Sequence, residues 1–297
     1  MRFTTATLAL ALSLYASAAP VERASGVTPV DAATIASFSP YANFAAATYC
    51  SGTANWSCTA CKKVPGFIPY ATGGDGNIIQ YWYVGWWPAG NSVVVAHEGT
   101  DPTQLVSVAT DANALQDPLD PALFPGIPSS VLVHSGFMNA HYPAAPTILA
   151  AVKKVIAERK ATKVTVTGHS LGGALASLDA VYFKTNLPST ISIKHVTYGQ
   201  PRVGNQDFAN WFDKNILDST RITDKYDIVP IVPGRGLGYH HSSGEKHIKS
   251  AGVWNTCAGQ DNTSTDCSTG AVPNIFVGSI TDHLGPYEGV WMGTIYC

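Results

Sequence analysis

The chain reads as a single α/β domain, and three observations carry that reading. From Thr147 onward, strand-like runs alternate with helical runs of about a dozen residues, and parallel strands need a crossover of that length. Leu171, Ala174, Leu175, Leu178, Val181 and Tyr182 recur at spacings of three and four, so a helix starts within a few residues of the strand at Lys163 to Thr167. Finally, 297 residues, 45% of them apolar and 13% charged, suffice for one large core, and nothing after residue 31 marks a domain boundary. A central, mostly parallel sheet flanked by helices is the expected architecture.

The elements follow in order. Asp31 to Thr48 has helical apolar spacing and is broken or kinked at Pro40. Ile78 to Val84 and Ser92 to Ala96 are rich in aromatic and β-branched residues between Gly, Pro and Asn, which predicts strands. Asp101-Pro102 supplies an N-cap and a first-turn proline, so Thr103 to about Ala112 reads as a short helix with Leu105, Val106, Val108 and Ala109 as its apolar positions. Pro118, Pro121, Pro125 and Pro128 make Asp117 to Pro128 an extended loop, after which Val131 to Val133 resumes a strand. Thr147 to Lys160 sets Ile148, Leu149, Val152, Val155 and Ile156 on one face and is an amphipathic helix. Ile191 to Tyr198 and Thr220 to Thr223 complete the strands.

Eighteen Lys and Arg against twenty Asp and Glu leave a net charge of -2, which excludes bulk electrostatic capture of nucleic acid or an anionic membrane. With 27 Gly, 19 Pro and no internal period, the chain is a loop-rich compact protein rather than a coiled coil or repeat array. Arg2, the apolar run Leu8 to Ala16 and the small residues Ala16-Ser17-Ala18 have the order of a secretory leader cleaved near Ala18. Residues 1–18 are thus expected to be a leader, 19–30 a short extension and 31–297 the domain. The run is too short for a bilayer core of ~30 Å, so the mature protein is expected to be exported and unanchored; it is expected to be a monomer.

Cys50, Cys58, Cys61, Cys257, Cys267 and Cys297 all follow the leader, and an even number in an oxidising compartment argues for three disulfides. Spacing favours the local pairs Cys58 with Cys61 and Cys257 with Cys267, leaving Cys50 and Cys297 to close nearly the whole chain. That bridge should constrain the unfolded state by on the order of 4 to 5 kcal/mol. Cys58-Thr59-Ala60-Cys61 has no second ligand pair at similar spacing, and His97-Glu98 lacks the second histidine of a zinc-protease helix because position 101 is Asp101. No metal or cofactor is expected. Asn55-Trp56-Ser57 and Asn262-Thr263-Ser264 are N-glycosylation acceptors.

Gly168-His169-Ser170-Leu171-Gly172-Gly173 lies between the strand and the helix, the one context in which G-x-S-x-G has a mechanical meaning. A sharp strand-to-helix reversal strains the serine backbone, and the flanking glycines admit neighbouring chains too close for a Cβ. The helix N-terminus also aims the Leu171 amide at a developing oxyanion. A serine hydroxyl needs a histidine to take its proton, and the imidazole needs a buried carboxylate to set its tautomer. On sheets with this turn the order is Ser, acid, His. Asp227, which leads into an apolar stretch, is favoured over Asp224 as the acid. That order discards His195, and His283, in the late loop Asp282-His283-Leu284-Gly285-Pro286, is favoured over His240, His241 and His247.

Together these residues resemble the filamentous-fungal class 3 triacylglycerol lipases, of the Rhizomucor type, a secreted branch of the α/β-hydrolases. The resemblance runs from about Tyr41 to Cys297. It is carried by Thr167 to Ala174, by Thr197-Tyr198-Gly199-Gln200-Pro201-Arg202-Val203-Gly204-Asn205, by Asp227-Ile228-Val229-Pro230, by Tyr239-His240-His241-Ser242-Ser243 and by the His283 loop. It implies a Ser170, Asp227 and His283 triad and the disulfides Cys50 to Cys297, Cys58 to Cys61 and Cys257 to Cys267. It also implies a second oxyanion donor at Thr100, in His97-Glu98-Gly99-Thr100, where Glu98 replaces the arginine usual in the family. The helix after Thr100 resembles the family's lid, with a modest apolar face that implies weak activation by interfaces.

The expected function is hydrolysis of acylglycerol esters at a lipid–water interface. A feruloyl or short-chain carboxylesterase is the alternative within the same chemistry. From another class, Tyr81-Trp82-Tyr83-Val84-Gly85-Trp86-Trp87 would offer rings for stacking on sugars in a non-catalytic carbohydrate-binding protein.

Overall fold

A computed structural model describes residues 26–100 and 114–297. The leader, and the helix expected over Thr103 to Ala112 with Leu105, Val106, Val108 and Ala109, lie outside the described residues.

The chain begins with β1 (Val27–Pro29), α1 (Ala32–Ser37), α2 (Ser39–Ala47), β2 (Ile68–Gly73), β3 (Trp82–Trp87) and β4 (Ser92–His97). It continues with β5 (Gln116–Pro118), β6 (Leu132–His134), α3 (Ser135–His141), α4 (Ala145–Arg159), β7 (Lys163–His169) and α5 (Leu171–Asn186). Then come β8 (Ser192–Tyr198), β9 (Gly204–Asn205), α6 (Gln206–Asn215), β10 (Asp218–Asp224), β11 (Tyr239–His240), β12 (Glu245–Ser250) and β13 (Val253–Cys257). Two short helices follow, α7 (Ser268–Ala271) and α8 (Ile280–His283).

Among the described residues the main sheet has nine strands in the order β1-β13-β12-β10-β8-β7-β4-β3-β2. Its central five, β12, β10, β8, β7 and β4, are parallel, because helices cross over between several of them. Both margins turn antiparallel, where hairpins join β2 to β3, β3 to β4 and β12 to β13. A smaller antiparallel sheet runs β11-β9-β6-β5. The central strands are covered on both faces. Val93 and Val95 face a core shared with Ile148, Leu149, Val152 and Val155 of α4 and with α5, while Val94 and Ala96 face Phe44, Phe67 and the Cys58–Cys61 loop. That two-sided burial is why β4 is an unbroken apolar run rather than an alternating one.

Several boundaries differ from the sequence expectation for identifiable reasons. The Asp31 to Thr48 helix divides at Phe38, with Asp31 capping α1 through Thr34 N–H at 2.8 Å and Pro40 accommodated in the first turn of α2. The strand expected over Ile78 to Val84 starts at Trp82 and runs on to Trp87. Asp75 accepts the N–H groups of Asn77 and Ile79, forming a turn that leaves Ile78 71% exposed despite its β-branched side chain. The proline-rich stretch opens with β5, which pairs with β6. β2, with Pro69, is an edge strand where a missing N–H is tolerated. β1 falls within the stretch read as an N-terminal extension and joins the main sheet beside β13.

Disulfides join Cys50 to Cys297, Cys58 to Cys61 and Cys257 to Cys267. The first ties the end of α2 to the last residue across a separation of 247 residues. Replacing both Cys50 and Cys297 with serine is expected to cost about 4 kcal/mol of unfolding free energy, read as a lower urea midpoint. An unchanged midpoint would show that the unfolded chain gains nothing from release of the ends.

Candidate active site

Ser170 is the only residue between β7 and α5, and its backbone sits at φ 59°, ψ −129°, a conformation that costs a non-glycine residue roughly 1–3 kcal/mol. The neighbouring glycines are sterically required. A Cβ on Gly168 would come within 2.2 Å of the Gly172 carbonyl oxygen, and one on Gly172 within 2.2 Å of the His97 carbonyl oxygen. The turn is held from the sheet as well, since Ser170 N–H donates to the Tyr198 carbonyl at 3.0 Å. Leu171 heads α5, so its amide lacks an intrahelical acceptor.

The end of β4 passes beside this turn. A Cβ on Gly99 would lie 2.9 Å from Ser170 Cβ, and Thr100, one residue on, is buried with no partner for Oγ1 among the described residues. Glu98 is buried; its N–H donates to the Tyr81 carbonyl at 2.8 Å and its Oε2 accepts Tyr81 N–H at 3.4 Å. The family's arginine position is therefore occupied here by a carboxylate that bonds to backbone.

His283 Nδ1 is 2.8 Å from Asp227 Oδ2, with both side chains buried. Asp227 Oδ1 accepts the Val229 N–H at 2.8 Å, and the backbone bridge between Asp227 and Ser279 ties the loop of the acid to that of the histidine. The His283 ring packs 4.4 Å from that of His169, the residue before Ser170, tilted by 30°, and lies over Gly199, where a Cβ would meet it at 2.8 Å. His169 Nε2 donates to the His283 carbonyl at 2.7 Å, which leaves Nδ1 to accept the Tyr49 hydroxyl at 2.6 Å. Burial, and then His283 nearby, hold His169 well below the usual histidine range, so this wedge is neutral.

His283 Nε2 is buried and has no hydrogen-bond partner among the described residues, so the hydrogen bond to Ser170 is not formed in this structure. Such bonds are often long in unliganded enzymes. Burial holds His283 down at about 3, keeping the imidazole neutral, and pushes the Asp227 carboxyl upward against the opposing Val229 hydrogen bond.

The other candidates are engaged elsewhere. Asp224 pairs with Lys225 at 2.7 Å, and its burial raises it to about 7. His195 lies between the hydroxyls of Ser177 and Ser219, His241 Nε2 donates to the Pro230 carbonyl, and His247 meets the Thr223 hydroxyl. His240 is half-exposed, 3.7 Å from Asp261. Sequence reasoning did not place Tyr49 against His169, nor a second buried group of Asp179, His97 and His141; the only local signal of the latter is one charged residue in the buried stretch from Gly172 to Phe183. Of the aromatic run Tyr81 to Trp87, Tyr81 is 46% exposed while Trp82–Trp87 is buried throughout, so all but one of its rings pack in the interior rather than form a sugar-binding face. Asn55 is exposed, with Oδ1 accepting the Ser57 hydroxyl, and Asn262 Nδ2 donates to the Ala258 carbonyl. Among the described residues, no cluster of three His, Cys, Asp or Glu side chains is disposed to hold a metal, and no helix is long and apolar enough to cross a membrane.

Residues 94–237 match the family model of the class 3 lipases. A lipase from Rhizopus niveus is 31% identical over 290 residues, 93% of this chain and 69% of that protein. A secreted mono- and diacylglycerol lipase from Malassezia globosa is 36% identical over 201 residues, covering 66% of this chain and 63% of that relative. Among solved structures, a triacylglycerol lipase whose catalytic centre is described as a serine protease triad superposes with a TM-score of 0.78 at 26% identity, over 91% of this chain and 99% of that one. Shared sequence along nearly the whole chain and a shared α/β-hydrolase fold make this protein a member of the class 3 lipases.

Proposed function

We propose that the chain is an exported lipase that hydrolyses acylglycerol esters through an acyl-enzyme, with Ser170 as nucleophile, His283 as base and Asp227 as the orienting acid. The observation that carries this is the state of His283: neutral, buried, held by Asp227 through Nδ1, with no partner for Nε2 among the described residues and its ring packed 4.4 Å from that of His169, the residue before the strained Ser170. In that arrangement Ser170 Oγ attacks the ester carbonyl carbon and its proton passes to His283 Nε2. The carbonyl oxygen, now an oxyanion, is held by the amides of Thr100 and Leu171 and by the Thr100 hydroxyl, whose lack of another partner among the described residues supports that role. Collapse expels the alcohol, which takes the proton from His283; water then repeats the sequence on the acyl-enzyme and releases the acid. No step calls on a metal or cofactor.

The leader-like N-terminus and the secreted relatives support export. The mono- and diacylglycerol lipase and triacylglycerol lipase among its relatives support glycerides as substrates. Rates across esters from acetate to oleate, with emulsified triolein and methyl ferulate alongside, test the substrate class. Sustained hydrolysis of long-chain emulsions is expected; activity confined to short soluble or aromatic esters would favour the carboxylesterase or feruloyl esterase. Thr100→Val keeps the amide but removes the hydroxyl, and should lower kcat by about 10- to 100-fold with little change in KM, since one oxyanion donor is worth up to ~10²–10³. Parent-like kcat would remove the hydroxyl from the mechanism.

A further inference from the structure

Asp179 sits in the middle of α5, about two turns beyond Leu171, in a helix whose residues from Gly172 to Phe183 are all buried. Its Oδ2 accepts His97 Nε2 at 2.7 Å and its Oδ1 accepts His141 Nε2 at 2.8 Å. All three side chains are inaccessible to solvent or nearly so. Burial alone would raise Asp179, but the charge of His97 and the hydrogen bonds of both imidazoles outweigh it and hold the carboxyl at about 2. It is therefore an ionised acceptor for two donors. Replacing a buried charged group and its partners by apolar packing is often neutral or stabilising, so stability alone does not account for a carboxylate here.

Its partners supply a reason. His97 is the last residue of β4, three positions before Thr100, and its carbonyl occupies the space a Gly172 Cβ would need. The strand end leading to one oxyanion donor thus touches the helix start bearing the other, and Asp179 bonds the same two elements deeper in the core. His141 adds α3 to the same carboxylate. We propose that Asp179 is a positioning residue for the oxyanion hole, locking the end of β4 against α5 so that the amides of Thr100 and Leu171 converge on one oxygen. The proposal rests on the reading of those two residues as the donors. Donors must lie about 2.7–3.1 Å from the oxyanion, and a displacement of about 1 Å can cost ~10²-fold in rate.

The test is kcat and KM on a soluble butyrate ester for Asp179→Asn, His97→Leu and His97→Gln, with intact sites counted by organophosphonate titration and Tm measured alongside. Asp179→Asn and His97→Leu are expected to lower kcat per titrated site by about 10- to 100-fold with KM within about 3-fold. His97→Gln, which keeps an N–H donor at similar reach, should stay within about 5-fold of the parent. A lower Tm with fewer titratable sites but parent-like kcat per site would overturn the proposal, since that is the signature of a merely structural cluster. If Asp179→Asn does not fold, the His97 pair decides, and equal kcat per site in His97→Gln and His97→Leu overturns it. Ser170→Ala is run in parallel. Hydrolysis by that variant would defeat the reading of the site itself, whereas an inert Ser170→Ala beside a fully active Asp179→Asn defeats only this inference.

Discussion

Ser170→Ala should lose about 10⁵- to 10⁶-fold in kcat on any ester the parent hydrolyses, because the step it removes is bond formation itself. Binding should persist, since the substitution deletes one oxygen and leaves the turn intact. Alanine has the same Cβ as serine, so the strain at φ 59° is retained and Tm should move little. The comparison isolates chemistry from folding. The measurement is kcat and KM on a soluble ester, with thermal unfolding of the same preparation. A variant retaining more than about a thousandth of parental kcat would point to a nucleophile other than Ser170, because oxyanion donors and binding alone leave only ~10³–10⁴ over water.

Asp227→Asn should be nearly as damaging, about 10³- to 10⁴-fold in kcat, and for a reason visible in the hydrogen bonds. The Val229 N–H requires an acceptor at Oδ1, so an asparagine must keep its carbonyl oxygen there and turn its amide nitrogen toward His283. Nδ1 then becomes the acceptor and Nε2 carries the proton, which leaves no base facing Ser170. The pH dependence provides a second readout. In the active form one proton lies between Asp227 and His283, and the pair carries a single negative charge in a buried site. Burial disfavours that charge, so the next proton is taken up at a pH above the ordinary carboxylate value of about 3.9. In the parent, kcat/KM should therefore fall as pH drops through a midpoint above about 4. In Asp227→Asn the remaining acceptor is His283, whose burial confines its protonation to low pH, and the acid limb should shift downward. An acid limb at the same pH in both proteins would exclude the Asp227–His283 pair as its origin.

The turn at Ser170 was legible because its causes are contiguous: a strand, three glycines, and a helix whose apolar spacing begins at Leu171. The face of α4 and the division of the first helix near Pro40 were legible for the same reason, since side-chain period and proline sterics act over a few residues. Edges were not. β2, β12 and β13 are short or polar, and their strand character comes from a neighbour offering hydrogen bonds rather than from their own preferences. The run at Ile78 shows the converse, with strong β-propensity overruled by the Asp75 turn.

By itself, then, the order of residues determined what steric rules act on within a dozen neighbours: the α/β alternation, the strained serine and the glycines around it. The pairing of His283 with Asp227 rather than Asp224, the wedge of His169 on Tyr49 and the union of His97, His141 and Asp179 form only in three dimensions. Asp227 meets His283 across 56 residues and Asp179 meets His97 across 82. Such pairings acquire their energy only after the sheet has closed and water has left, when an unmatched buried charge becomes costly and the matching partner is whichever side chain the packed elements place within reach.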